Sequence, residues 1–329
     1  MEQINLSELC QRYRARVIHI TPLEDCYLLE TNRGPKELHI WPRADVMRWS
    51  FFWRESMARQ GFRQLERFIR TRDAKPYVMM GQRGITLTDH QRHIEAVTPT
   101  VELARQCGEI VAMMHAAQRE SRQFHAADYW ERAQGKAASE VKRAEDFLGT
   151  LRFRGRPSAR RYEAVSWLFP PLLERMRRCA SLLQSARIDH ADLFVTHGRI
   201  SRDNWVMVRD KLFLHGFFKP KLSVAQRDVA GYLRELYLVH EDLAQIDAFL
   251  DGYEEIRPLS QSEYTLLVAF MGFPLEVWRE LQAVFRLNGE PEEERLARLE
   301  QAVHQQQAVD QLIGHIAERA EGMRSESKA

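Results

Sequence analysis

With 329 residues, 44% hydrophobic and 29% charged, the chain is long enough for one large domain or two lobes built on real cores. Its 48 basic and 46 acidic residues leave a net charge of +2, which gives no global case for nucleic acid or an anionic membrane. No stretch approaches the ~20 apolar residues that span a bilayer, so no membrane insertion is expected. The scattered Cys10, Cys26, Cys107 and Cys179 have neither Cys-x-x-Cys nor metal spacing. They read as buried hydrophobes or bystanders in a reducing compartment. Met1 to Leu6 has no basic flank leading into an apolar run, so no signal peptide is expected and synthesis should be cytoplasmic.

The first ~90 residues read as short strands around one helix. Arg16 to Ile20 is strand-like, and the turn signal Asn32-Arg33-Gly34-Pro35 separates Tyr27–Glu30 from Glu37–Trp41 as a hairpin. Val46, Trp49, Phe52, Trp53 and Met57 recur at helical spacing between Ala44 and Gln60, with Gly61 closing the helix. Arg67–Thr71 and Pro76–Met80 bracket a turn as strands, and Ile85–Thr88 is a further strand.

The character then changes. Val101 to Met114 forms a helical face ending near His115, Asp128 to Thr150 a charged helix, and Trp167 to Leu183 another. Between the last two, Arg152, Arg154, Arg156, Arg160 and Arg161 mark a solvated loop that could also dock an acidic partner. Trp205–Val208 and Lys211–Leu214 flank a tight hairpin turn at Arg209-Asp210. One helix is expected over Arg227–Asp251, then Tyr264–Phe270, Leu275–Phe285 and a long charged helix over Pro291–Met323.

A strand-rich part followed by a helical part with one hairpin gives the expected fold class: α+β, a protein-kinase-like two-lobe fold. Residues 1–92 would be a small antiparallel-sheet lobe with one helix. Residues 93–323 would be a larger, mainly helical lobe with a catalytic-loop-like hairpin region at 190–218, and 324–329 a disordered tail.

The residues carrying the resemblance run through most of the chain. They include Tyr27–Trp41, Gln60-Gly61-Phe62, Leu103 to His115, Thr196-His197-Gly198 through Asn204, and Gly252-Tyr253 with Pro258 and Trp278. In this order they resemble the aminoglycoside-phosphotransferase-like branch of the kinase superfamily, and more narrowly the CotS-type spore coat proteins with their YutH and YsxE relatives. The resemblance implies association with the coat of a developing spore after synthesis in the mother cell, with other coat proteins as partners.

Phosphoryl transfer needs a lysine on the phosphates, a carboxylate near the attacking hydroxyl, and Asn and Asp oxygens on magnesium. The resemblance places His39 at the lysine, Arg199 at the catalytic acid and His215 at the metal-binding Asp. It leaves His197 and Asn204 in place, with Asp228 as a structural aspartate that caps a helix or anchors the loop. An imidazole cannot replace a permanent cation, a guanidinium cannot serve as a base, and a neutral His is a poor ligand for magnesium. Lys36 alternates to the face opposite His39. Thr21 to Asp25 contains no glycine for a phosphate loop, and Glu55 reads as a solvated helical charge.

An alternative register takes Asp192 as base, with His190 beside it, His197 at the asparagine position and Asp210 near the metal loop. The first register is preferred because Asp210 suits the hairpin turn. The expectation is thus a catalytically inactive kinase-like coat protein, with no cofactor and no metal. The alternatives are an atypical small-molecule or protein kinase using ATP and magnesium with Asp192 or Asp203 as base, or a nucleotide-binding switch. His115, His190, His197, His215 and His240 read as core or surface residues rather than zinc ligands. The Trp41, Trp49, Phe51, Phe52, Trp53 cluster reads as core that could contribute part of a partner surface.

Overall fold

In the computed structural model the described residues are 11–23, 26–90, 100–116, 127–151, 163, 165–185, 193–198, 200–208, 210–217, 221–285 and 292–326. The N-terminal part is a five-stranded antiparallel sheet of order β1-β2-β3-β5-β4. Its strands are β1 (Val17–Pro22), β2 (Tyr27–Thr31), β3 (Lys36–Trp41), β4 (Val78–Met80) and β5 (Arg83–Asp89), and helix α1 (Ala44–Arg59) follows β3. The β2–β3 hairpin turns at Gly34 with φ +83°, a left-handed backbone that favours glycine.

Strand alternation sorts the sheet into two faces. Leu38 and Leu87 pair across β3–β5, as do Ile40 and Ile85. Leu29, Leu38, Val78, Ile85 and Leu87 form one apolar core. The other face carries Glu37, His39 and Trp41, paired with Thr88, Thr86 and Gly84. Met47 of α1 packs directly over Gly84, where a Cβ would displace its flexible thioether end.

The C-terminal part is mostly helical. Its helices are α2 (Val101–Ala116), α3 (Ala127–Leu151), α4 (Phe169–Ser185), α5 (Ala225–His240), α6 (Leu243–Ile256), α7 (Gln261–Gly272), α8 (Leu275–Val284) and α9 (Glu292–Glu326). Two small antiparallel pairs lie among them, β6 (Leu193–Thr196) with β9 (Lys221–Val224), and β7 (Trp205–Val208) with β8 (Lys211–Leu214). Helices α2 and α6 cross backbone to backbone. A Cβ on Gly108 would lie 2.0 Å from the Phe249 carbonyl oxygen, and one on Gly252 2.2 Å from that of Arg105. Around this crossing Val111, Phe249, Tyr253, Leu233 and Trp205 make the main core, which α9 closes with Val309, Leu312 and Ile316.

Four expectations are corrected. Residues 67–71 form no strand: Ile69 N–H donates to Leu87, but Thr71 and Arg72 turn to Lys75 and Arg12, so no ladder builds. The helix expected over 227–251 is two helices. Glu241 adopts a left-handed φ of 50°, and the Asp242 side chain caps α6 by accepting from Ala244 N–H at 2.9 Å. Strand β9 pairs where the sequence showed no strand signal. Helix α9 runs to Glu326, into the segment expected to be a disordered tail.

Candidate functional site

The site lies where the second face of β3 meets the loop after β8. Alternation puts Lys36 on the opposite face, where its ammonium bonds the Arg33 carbonyl at 2.9 Å and Asp89 at 2.5 Å. Glu37 and His39 point together into the interior, 6% and 5% exposed. The Glu37 carboxylate accepts from His90 Nδ1 at 2.6 Å and His39 Nε2 at 3.2 Å, and His215 Nε2 lies 3.6 Å away.

These contacts set the charges. Burial works against ionising Glu37, but His215, His39 and His90 around it hold its carboxyl well below the usual range. Burial lowers the His39 pKa despite that carboxylate. Burial also opposes the charge on His215, but Glu37 and Glu66 outweigh it and raise the pKa.

A second buried pair lies alongside. Arg54 of α1 is 1% exposed. It donates to the Glu66 carboxylate at 3.1 Å, the Glu66 carbonyl at 2.6 Å and the Phe217 carbonyl at 2.5 Å. Its guanidinium also sits 4.8 Å over the Phe68 ring. The other Glu66 oxygen accepts from Gly216 N–H at 2.6 Å and Phe217 N–H at 3.2 Å. The 215–217 segment is thereby tied to the first lobe through its backbone.

Asp228, near the start of α5, anchors the preceding loop: its two oxygens accept from His197 N–H at 2.6 Å and Gly198 N–H at 2.9 Å. Behind it, fully buried His115 is bonded to Tyr253 at 2.9 Å and lies 3.7 Å from Asp228. The His197 ring donates to the His215 carbonyl at 3.0 Å. Asn204 lies beside this segment, with its carbonyl accepting from His215 N–H at 2.7 Å. Its side-chain oxygen turns back into its own capping box, accepting from Ser201 N–H at 2.8 Å and Ser201 Oγ at 2.9 Å. Gly216, at φ +97°, passes so close that a Cβ would lie 2.5 Å from Asn204 Nδ2.

The structure thus brings His39, His215, His197, Asn204 and Asp228 into one region. Arg199, Asp192, His190 and the arginines at 152–161 lie outside the described residues, as does Cys10. Asp203 is 83% exposed at its side chain, 3.7 Å from Arg202. Asp210 sits exposed in the β7–β8 turn at φ 60°. Glu55 is not simply solvated: it pairs with Arg67 at 2.8 Å and Arg70 at 3.3 Å. Of the aromatic cluster Trp41 and Trp53 are buried, whereas Phe52 is 65% exposed.

Three functional residues were missed. Glu37 shares the face of His39 two positions on, which alternation alone reveals. Arg54 lies four residues after Ser50 and three before Met57, on the buried stripe of α1, an unusual place for a cation. Glu66 carried no signal, because its burial depends on Arg54 and on the backbone of residues 216–217.

Magnesium, which the fold family implies, does not fit these residues. It requires oxygen ligands in near-octahedral geometry. The Asn204 oxygen is committed to Ser201, Glu66 to Arg54 and two backbone amides, and the loop offers an imidazole at His215. A softer set does converge: Cys26, Glu37 and His39 place one ligand atom each within 4.8 Å of one another.

Two cavities adjoin the loop. One of about 220 Å³ lies on the cleft side, lined among others by Glu66, Asp89, Val206, Leu214 and His215. The other, about 360 Å³, opens on the helical side behind Gly198 and Ile200, with Phe270, Phe273, Arg234 and Glu276 in its wall.

Among solved structures the chain is similar to an aminoglycoside phosphotransferase from Alicyclobacillus acidocaldarius subsp. acidocaldarius DSM 446, at 16% identity and TM-score 0.75, covering 93% of each chain. It is similar to the spectinomycin phosphotransferase APH(9)-Ia, in complex with ADP and spectinomycin, at 14% identity and TM-score 0.65, covering 94% of this chain and 99% of that one. It is also similar to the amicoumacin kinase hAmiN, in complex with AMP-PNP, Ca2+ and Ami, at 14% identity and TM-score 0.61, covering 94% of both. At these identities the likeness establishes the two-lobe kinase-like fold. Curated protein sequences gave no match. Residues 183–316 match the family described as "Spore coat putative kinase YutH". That match and the phosphotransferase-like fold together agree with a CotS/YutH-type, kinase-like spore coat protein.

Proposed function

We propose that this chain is a catalytically inactive kinase-like protein that acts through protein–protein contacts in spore coat assembly. The observation that carries the reading is the filled face of β3. Where a phosphotransferase presents a lysine to anionic phosphates, this chain carries His39, bonded to the buried Glu37 carboxylate, which His90 and His215 also flank. A second buried carboxylate, Glu66, lies 3.9 Å from His215. The two buried carboxylates and the groups paired with them, Arg54 and His215, occupy the place of a phosphate-binding lysine, and the small space beside them is lined by Asp89, itself paired with Lys36. The side-chain oxygen of Asn204 is turned inward, and Asp203 points into solvent with a cation beside it. Coat assembly as the setting draws on the family match over residues 183–316.

The test is a thermal-shift titration with millimolar ATP and magnesium, run beside an assay for loss of the γ-phosphate. No stabilisation and no turnover are expected. Magnesium-dependent stabilisation by ATP would overturn the inactive reading, with turnover pointing to a kinase and its absence to a nucleotide-binding switch.

A further inference from the structure

Glu37 and His39, which fill the face of β3 in that reading, are joined there by Cys26, and the three have the chemistry of a metal centre. Cys26 is half-buried at the start of the β1–β2 hairpin's return strand, where Leu23 N–H bonds the Cys26 carbonyl at 2.8 Å. Glu37 and His39 are buried on β3, and β3 pairs with β2 directly, with Tyr27 opposite Leu38. The register therefore carries the thiol of residue 26 beside the carboxylate and imidazole of residues 37 and 39. Each offers one ligand atom, and all lie within 4.8 Å of one another.

We propose that Cys26, Glu37 and His39 bind a zinc ion. The donors are a sulfur, a carboxylate oxygen and an imidazole nitrogen, the mixed set that suits zinc and disfavours magnesium or calcium. Tetrahedral zinc holds its ligand atoms about 3.5 Å apart, given metal–ligand distances of about 2.0–2.3 Å. The group has to contract by about an ångström, on two adjacent strands. Binding displaces the thiol proton to solvent and leaves the thiolate on the metal. His90, already bonded to Glu37 Oε1 at 2.6 Å, would orient the carboxylate from outside. His215, whose Nε2 is 3.6 Å from Glu37 Oε2, lies next to this group. A metal there would fill the space beneath β3 with a cation held by the protein itself. The site shares Glu37 and His39 with the proposed inactive reading, but a thiolate-to-metal band needs no nucleotide, so its test and the ATP titration fail separately.

The experiment titrates the full chain, stripped with chelator and kept reduced, with cobalt(II) and then zinc(II). Cobalt is expected to give a near-ultraviolet thiolate-to-metal charge-transfer band at one ion per chain, bleached by one equivalent of zinc. Cys26→Ser should abolish the band while Cys107→Ser leaves it, and His39→Gln should weaken zinc at least about tenfold. Cys26 sits at a hairpin end, so its serine variant should retain the native melting transition of the metal-free chain. An absent band in the native chain, or a band that survives Cys26→Ser, overturns the proposal.

Discussion

One loop serves two very different surfaces. His197 turns toward the interlobe side and bonds the His215 carbonyl, whereas Gly198 and Ile200 line the cavity on the helical side. On the interlobe side, buried charge lies beside a cavity of about 220 Å³: Arg54 with Glu66, and Glu37 with three imidazoles. On the helical side a cavity of about 360 Å³ mixes apolar walls such as Phe270 and Phe273 with ion pairs such as Arg234–Glu276. The difference teaches that the kinase-like fold does not by itself decide where a ligand fits. The fold supplies both concavities, and side chains at a handful of positions make the interlobe one smaller and line it with buried charge.

The sharpest way to break this contrast is Arg54→Ala. It strips the partner from a buried carboxylate and two hydrogen bonds from backbone carbonyls, and should cost about 3–5 kcal/mol in urea denaturation. A loss within the ~0.5 kcal/mol typical of surface changes would mean that the interlobe charges are not structural.

A smaller effect follows from pH in metal-free protein. The folded-state pKa of His215 is raised above the ordinary 6.5, because Glu37 and Glu66 outweigh its burial, with Arg54 opposing. Its contribution to stability is therefore present in full below 6.5 and disappears as pH rises through the raised value. His39, lowered by burial, acts in the opposite sense and loses stability as pH falls below 6.5. Melting temperature should accordingly decline as pH rises above 6.5, and Glu37→Gln should flatten that decline. An unchanged decline in Glu37→Gln would separate His215 from the carboxylate.

The smallest effect belongs to the helical side. Arg234 pairs with Glu276, itself 46% exposed, at the cavity rim, so Arg234→Ala should cost only about 0.2–1 kcal/mol by denaturant titration. A loss approaching that of Arg54→Ala would erase the distinction between the two surfaces.

Much of the fold was legible because its signals are local. The β2–β3 hairpin is announced by Asn32 to Pro35, α1 by its apolar spacing, and the β7–β8 hairpin by two short apolar runs around Asp210. Where the reading failed, the deciding contacts were distant. Lys221–Val224 becomes a strand only because Leu193–Thr196 offers it a partner. The break at Glu241 needs a left-handed residue with no glycine to mark it. In the site, the resemblance pointed to His39, His197, Asn204, His215 and Asp228, which the fold brings into one region, while Glu66 could not be foreseen.

The sequence by itself determined the order of elements, the two-lobe class and which chemical groups stand at the motif positions, since these depend on periodicity and residue identity. Tertiary structure alone decided what those groups touch. It drew the Asn204 oxygen onto Ser201 and set Glu66 against Arg54 and the Gly216 amide. It also gathered Cys26, Glu37 and His39 beneath one sheet. The physical reason is that charge state and ligand capacity belong to an environment: a carboxylate eleven residues along the chain from a thiol becomes its neighbour only when two strands pair in register.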